Sequence, residues 1–169
     1  MLLDERDMVR ALARFARIAD SKKVDALDEV FAPDVLFDYG SGRRESGLAA
    51  LHALLGRHLD RCGGTQHLLG NITVDIDGDT AVSRAYVQAR HQRVGDFVGP
   101  VFDSNGEYVD RWERRTDGWR IVHRTVTWAA NTGDAEILAE DGQLGCLHNR
   151  EAPGVRREPA QSHSRRSRQ

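Results

Sequence analysis

His67 and Asp20 are ionisable residues in places where their own elements have little use for a charge. His67 lies in the run Gly64-Thr65-Gln66-His67-Leu68-Leu69-Gly70-Asn71, a lone imidazole between apolar residues at the start of a strand-like stretch. Imidazole takes and returns a proton near neutral pH, so His67 is a candidate general base; the plainer reading is a hydrogen-bonded core histidine. Asp20 closes a helical stripe, where the helix dipole disfavours a carboxylate; the plainer reading is that Asp20 or Ser21 caps the next helix. Tyr39 ends the alternation Val35, Phe37, Tyr39, and a buried phenol there needs a partner that a pocket ligand could supply. His91 shares parity with Ala85, Val87 and Ala89, which turns it inward unless it is simply an edge-of-sheet histidine. Arg124 shares parity with Val122, Val126 and Trp128 and so projects from an apolar face, an expensive place for an unpaired guanidinium. An odd-length hairpin loop would set it opposite Asp110 in a structural ion pair.

The elements that must hold these residues follow from periodicity. Met8, Val9, Leu12, Phe15, Ala16 and Ala19 recur at three- and four-residue steps and predict a helix from Asp4 to Ala19. Val24, Leu27, Val30 and Phe31 continue that period until Pro33 stops it, and Val35 to Tyr39 then alternate as a strand. Gly47 to Leu59 reads as a third helix, ended by Gly63-Gly64. Asp77-Gly78 and Asp117-Gly118 are hairpin signals between alternating runs, giving strands near 66–76, 80–92, 107–115 and 119–130. The Gly- and Pro-containing stretch Val94 to Gly106 reads as a loop covering a pocket. Helices first and an antiparallel sheet afterwards make an α+β domain.

Face parity sets a condition on His67. Ile72, Val74 and Ile76 mark the inner face of their strand, and His67, at odd parity, then points outward unless one extra residue shifts the register. A β-bulge at Gly70-Asn71 would turn it inward, and bulges are common beside active sites.

In order and spacing, Ala19-Asp20-Ser21-Lys22, Asp38-Tyr39, the His67 segment and His91-Gln92-Arg93 are similar to scytalone dehydratase. Over residues 5 to 131 the chain thus resembles the SnoaL-like members of the nuclear transport factor 2-like superfamily, nearest to scytalone dehydratase and γ-hexachlorocyclohexane dehydrochlorinase. The resemblance implies a cone-shaped α+β barrel, three N-terminal helices packed on a curved, mainly antiparallel sheet that encloses a pocket. It implies a catalytic dyad in which Asp20 accepts from one ring nitrogen of His67, fixes its tautomer and leaves the other nitrogen as base. It assigns Tyr39, His91 and Arg124 to substrate binding, with Arg124 matching a leaving-group arginine of the dehydrochlorinase. Two departures argue against true scytalone dehydratase activity: Ala19 replaces a second water-holding tyrosine, and the strand near Glu107 to Val109 lacks a serine and asparagine pair. The expected function is a cofactor-independent, dehydratase-like lyase acting on a small hydrophobic or polyketide-like molecule. An isomerase or polyketide cyclase shares the first step, and a non-catalytic small-molecule-binding or assembly domain is the alternative from another class, because the fold alone does not choose a reaction.

Composition sets the outer bounds. The chain has 169 residues, enough for one core: a domain over 1–135, a C-terminal extension over 136–150 and an arginine-rich tail over 151–169 expected to lack order. With 24 basic residues against 26 acidic ones there is no global field for nucleic acid or membrane. Seven scattered histidines without HExxH, with His52 and His58 on different helix faces, predict no metal; no Gly-rich phosphate loop follows a strand, so no cofactor is expected. Cys62 and Cys146 lack metal or CxxC spacing, and no signal or long apolar run is present, so a cytoplasmic location is expected. Trp112 and Trp119, read as outer residues of the sheet, suggest a homodimer or homotrimer.

Overall fold

The computed structural model describes residues 2–95 and 98–138. Helix α1 (Leu2–Ser21) buries Met8, Leu12, Phe15, Ala16, Ile18 and Ala19 along one stripe. It stops where Lys22 adopts φ +57°, which lets the Lys22 and Lys23 N–H groups close back on the Ala19 and Ile18 carbonyls at 3.1 and 3.0 Å. The middle one of the three helices is a short 3-10 segment, Val24–Glu29, without a side-chain cap. Phe31 already belongs to strand β1 (Phe31–Asp38), so Pro33 stops no helix. It sits exposed where the register against the neighbouring strand slips between Phe31 and Leu36, and its missing N–H is not needed there.

A two-residue strand β2 (Glu45–Ser46) leads into helix α2 (Leu48–Leu59), which buries Leu51, Leu54, Leu55 and Leu59. Four long strands follow: β3 (Cys62–Asp77), β4 (Thr80–Arg93), β5 (Val101–Arg115) and β6 (Gly118–Gly133). A 3-10 turn, Ala135–Ile137, ends the described chain. The strands form one open, curled sheet in the order β2-β1-β6-β5-β4-β3, antiparallel except for the β1–β6 pair. The helices cover its concave face, which makes the domain α+β. No helix among the described residues is long and apolar enough to cross a membrane.

The structure corrects several sequence-level expectations. Val101 to Gly106 belong to β5 rather than to a loop, and none of the described residues between Val94 and Pro100 lines the central cavity; Asp96 and Phe97 lie outside the described residues. Trp112 and Trp119 are not outer residues. They are 1% and 6% exposed, and their indole N–H groups donate to Ser83 Oγ and Asp4 Oδ1, both at 2.9 Å. Of the expected extension 136–150, only residues 136–138 are described; the rest of it and the 151–169 tail lie outside the described residues.

Candidate active site

His67 owes its position to a register shift in β3. Cross-strand partners run from His67 opposite Ala89 to Gly70 opposite Tyr86, and then jump to Thr73 opposite Arg84, so β3 carries one extra residue. Asn71 takes the left-handed conformation at this bulge, φ +50°, which asparagine tolerates better than most residues. On one side of the bulge His67 and Leu69 face inward; on the other Ile72, Val74 and Ile76 do so. The side chain of His67 is 8% exposed and lines the cavity.

Asp20 arrives from the last turn of α1, which packs on β3. Its Oδ1 is 2.7 Å from His67 Nδ1, and its Oδ2 accepts the His67 backbone N–H at 3.1 Å. Both carboxylate oxygens therefore hold one residue. Asp20 caps nothing, and Ser21 turns back to donate to the Arg17 carbonyl at 2.7 Å. A carboxylate accepts only, so Nδ1 carries the ring hydrogen of neutral His67, and Nε2 is the bare nitrogen. The arrangement offsets the unfavourable helix-dipole position of Asp20 with two charge-assisted hydrogen bonds.

His91 on β4 stands beside His67, ring centroids 5.5 Å apart and nearly perpendicular. It is 5% exposed, and its Nδ1 lies 2.9 Å from the hydroxyl of Thr65, its cross-strand partner. Burial first, and the neighbouring His67 second, push its pKa down to about 4, so this imidazole is neutral at neutral pH. Tyr39 follows β1 in a turn tied by Asp38 Oδ1, which accepts from the Gly40, Ser41 and Gly42 N–H groups at 2.9, 3.0 and 3.2 Å. The Trp128 indole donates to the Tyr39 carbonyl at 3.1 Å. Tyr39 Oη is buried and meets no hydrogen-bond partner among the described residues. Burial raises the pKa of this phenol, and the nearby Arg124 charge works against that.

Arg124 lies one layer behind the cavity and does not line it. Fully buried, it forms a two-pronged ion pair with Asp110, both contacts at 2.7 Å, while Nη1 finds no partner among the described residues. The expected parity with Val122 does not hold: Arg111 pairs with His123 and Trp112 with Ile121, so Val122 is an extra residue and Arg124 turns inward with Trp119 and Ile121. This bulge, rather than an odd-length hairpin loop, sets Arg124 opposite Asp110.

The cavity measures about 90 Å³, several times what one water needs. Its walls are mostly apolar, including Phe15, Leu54, Leu55, Leu59, Trp128 and Leu138. Its polar groups are His67, His91 and Tyr39 together with His58, Ser104 and Tyr108, which the sequence reading missed. Ser104 Oγ, like Tyr39 Oη, is buried without a partner. Among the described residues no group of three or more His, Cys, Asp and Glu side chains is disposed to hold a metal ion. A base of fixed tautomer facing an apolar cavity with unpartnered hydroxyls is suited to proton abstraction next to an oxygen that gains charge.

Comparison with known proteins agrees with this architecture. Residues 1–125 match the SnoaL-like domain family. Rv2910c, an uncharacterized protein of Mycobacterium tuberculosis, is 32% identical over 128 residues, covering 73% of this chain and 84% of that protein. The crystal structure of Kfla4162 from Kribbella flavida superposes with a TM-score of 0.72 at 25% identity, covering 80% of this chain and 97% of that one. A candidate scytalone dehydratase from Novosphingobium aromaticivorans shares the fold at a TM-score of 0.70 and 22% identity, covering 78% and 87%. Because the family match spans residues 1–125 of the chain, this protein belongs to the SnoaL-like domain family.

Proposed function

We propose that this protein is a cofactor-independent lyase that removes water from a small, mostly apolar substrate carrying a hydroxyl group β to a carbonyl. The observation that carries the reading is the double grip of Asp20 on His67, on Nδ1 and on the backbone N–H, which leaves Nε2 as a bare base at the cavity. His67 Nε2 takes the proton from the carbon beside the carbonyl, and the electron pair moves onto the carbonyl oxygen. Tyr39 Oη and Ser104 Oγ, unpartnered in the free protein, donate to that oxygen. Collapse of the enolate forms the carbon–carbon double bond and expels the β-hydroxyl, which leaves as water with the proton returned by the His67 imidazolium. Asp20 stabilises that imidazolium; neutral His91 orients the leaving oxygen. Arg124 acts through Tyr39 by offsetting part of the effect of burial on the phenol, which makes its O–H a stronger donor. The name given to the Novosphingobium structure supports water loss over the other outcomes of the same first step.

The test has two stages. Long-range proton–nitrogen NMR of the free protein should find His67 protonated on Nδ1 in the wild type, with that preference lost in Asp20→Asn; a proton on Nε2 in the wild type refutes the reading. A panel of cyclic β-hydroxy ketones, followed by enone absorbance, should then be turned over about 10²- to 10⁴-fold more slowly by His67→Ala. Solvent deuterium entering the substrate without loss of oxygen would identify an isomerase or cyclase instead. Self-association, as a homodimer or homotrimer, would use the outer sheet face around Leu68 and Tyr86, 56% and 58% exposed, and light scattering of Tyr86→Lys tests it.

A further inference from the structure

The cavity has two unlike walls. The sheet side presents His67, His91, Ser104 and Tyr108, with Tyr39 at the end of β1; the helical side presents Phe15, Ala19, Leu54, Leu55, Leu59 and one polar side chain, His58. His58 sits in the last turn of α2, and its Nδ1 is 2.8 Å from the Leu54 carbonyl one turn back. A carbonyl only accepts, so Nδ1 must be the donor and the neutral ring carries its hydrogen there. Nε2 is then a bare acceptor on a ring that faces the cavity, and no hydrogen bond to it occurs among the described residues. The unpartnered, buried hydroxyls of Tyr39 and Ser104 mark the same space as built for a polar ligand rather than for packing.

We infer that His58 is a specificity-determining residue, whose Nε2 accepts a hydrogen bond from a hydroxyl group on the substrate at the helical wall of the cavity. This rests on the reading of the cavity as a substrate site and narrows it: the substrate is a hydroxylated ring compound, with one oxygen at the sheet wall and a second, hydrogen-donating oxygen at the helical wall. An acceptor buried against a ligand that cannot donate is left unsatisfied, so the site rejects the deoxy or O-methylated analogue. His58 is half-buried, and Leu54, Leu55 and Leu59, which line the cavity with it, offer its ring no alternative partner.

Phenol and anisole, which share a ring and an oxygen but differ in the donor hydrogen, serve as probes. Their dissociation constants are measured by NMR titration at mildly alkaline pH in wild type, His58→Phe, His58→Gln and Ser104→Ala. The anisole-to-phenol ratio of dissociation constants should fall about tenfold from wild type to His58→Phe, recover in part in His58→Gln, whose amide oxygen accepts, and change less in Ser104→Ala. Taking the ratio within each variant cancels the hydration difference between the probes and any general loosening of the fold. Nitrogen shifts should also report a proton on His58 Nδ1 and none on Nε2, with Nε2 moving on addition of phenol. An unchanged ratio in His58→Phe, a proton on Nε2 in the free protein, or phenol failing to perturb the cavity resonances overturns the inference. The ratio is read from binding and not from turnover, so its outcome does not depend on whether His67 is the catalytic base.

Discussion

His91 is the residue whose environment speaks most directly to conditions. Burial, then the charge of His67, holds its pKa near 4 in the fold, while in the unfolded chain it titrates near 6.5. As pH falls from 6.5 to about 4 the unfolded state gains a proton that the folded state refuses, so stability present above that window is withdrawn through it. The effect of this one group amounts to at most about 3 kcal/mol. Urea unfolding of wild type and His91→Gln at several pH values between those limits should show a shallower loss in the variant; parallel curves would mean that His91 charges freely in the fold. Asp20, His67, Tyr39 and His91 could be singled out from sequence because each is chemically conspicuous against an apolar background. His58 could not, because a histidine in the last turn of an amphipathic helix has the same pattern whether it faces solvent or a cavity. Ser104 was hidden for a different reason: a reading that extends the loop to Gly106 cannot give it a face at all.

At the scale of elements, two single-residue insertions decide which side chains meet. The bulge at Asn71 turns His67 towards Asp20, and the one at Val122 turns Arg124 towards Asp110. The first was legible because Gly70-Asn71 combines two residues that tolerate unusual backbone, and because parity demanded a shift somewhere between His67 and Ile72. The second was not, since Ile121-Val122-His123 contains nothing that favours a bulge over a regular strand. The bulge is imposed by the pairing of the whole β5–β6 ladder and by a cation that needs its anion. Helix positions were readable from their stripes, whereas the 3-10 segment and the start of β1 were not, because Val30 and Phe31 fit either period. The Asn71 bulge makes a direct prediction. Asn71→Val puts a β-branched residue at φ +50° and should destabilise by about 1–2 kcal/mol, while Asn71→Gly stays near wild type. If the backbone escapes by removing the bulge, His67 rotates towards solvent, and the Nδ1 signal of its hydrogen bond to Asp20 disappears. A valine variant with wild-type stability and an intact His67–Asp20 signal would show that the positive φ does not govern the site.

For the molecule as a whole, the expensive feature is a full ion pair behind an apolar cavity. The Arg124 guanidinium lies 4.2 Å from the Phe15 ring centroid, 4.4 Å from Tyr108 and 4.9 Å from Phe31, so three aromatic faces and one carboxylate replace its water. Breaking such a pair leaves one buried charge without compensation and costs about 3–5 kcal/mol, whereas replacing both partners by apolar groups is often neutral or stabilising. Arg124→Met should therefore lower the urea midpoint strongly, and Arg124→Met with Asp110→Leu should recover most of the loss at unchanged denaturant slope. The recovery should be incomplete, because three cation–π contacts worth roughly 0.5–2 kcal/mol each go with the guanidinium. The double variant also separates architecture from chemistry. If the pair serves only to fill the space between the sheet and α1, the double variant keeps both fold and turnover. If the buried cation tunes Tyr39, the fold returns but turnover stays depressed by about tenfold, the scale of one hydrogen bond weakened in the transition state, with substrate affinity little changed. The second outcome is expected, because Tyr39 Oη and Arg124 Nη1 are the two buried polar atoms near this pair that the packing leaves without partners. A core designed for stability alone would have satisfied or removed them.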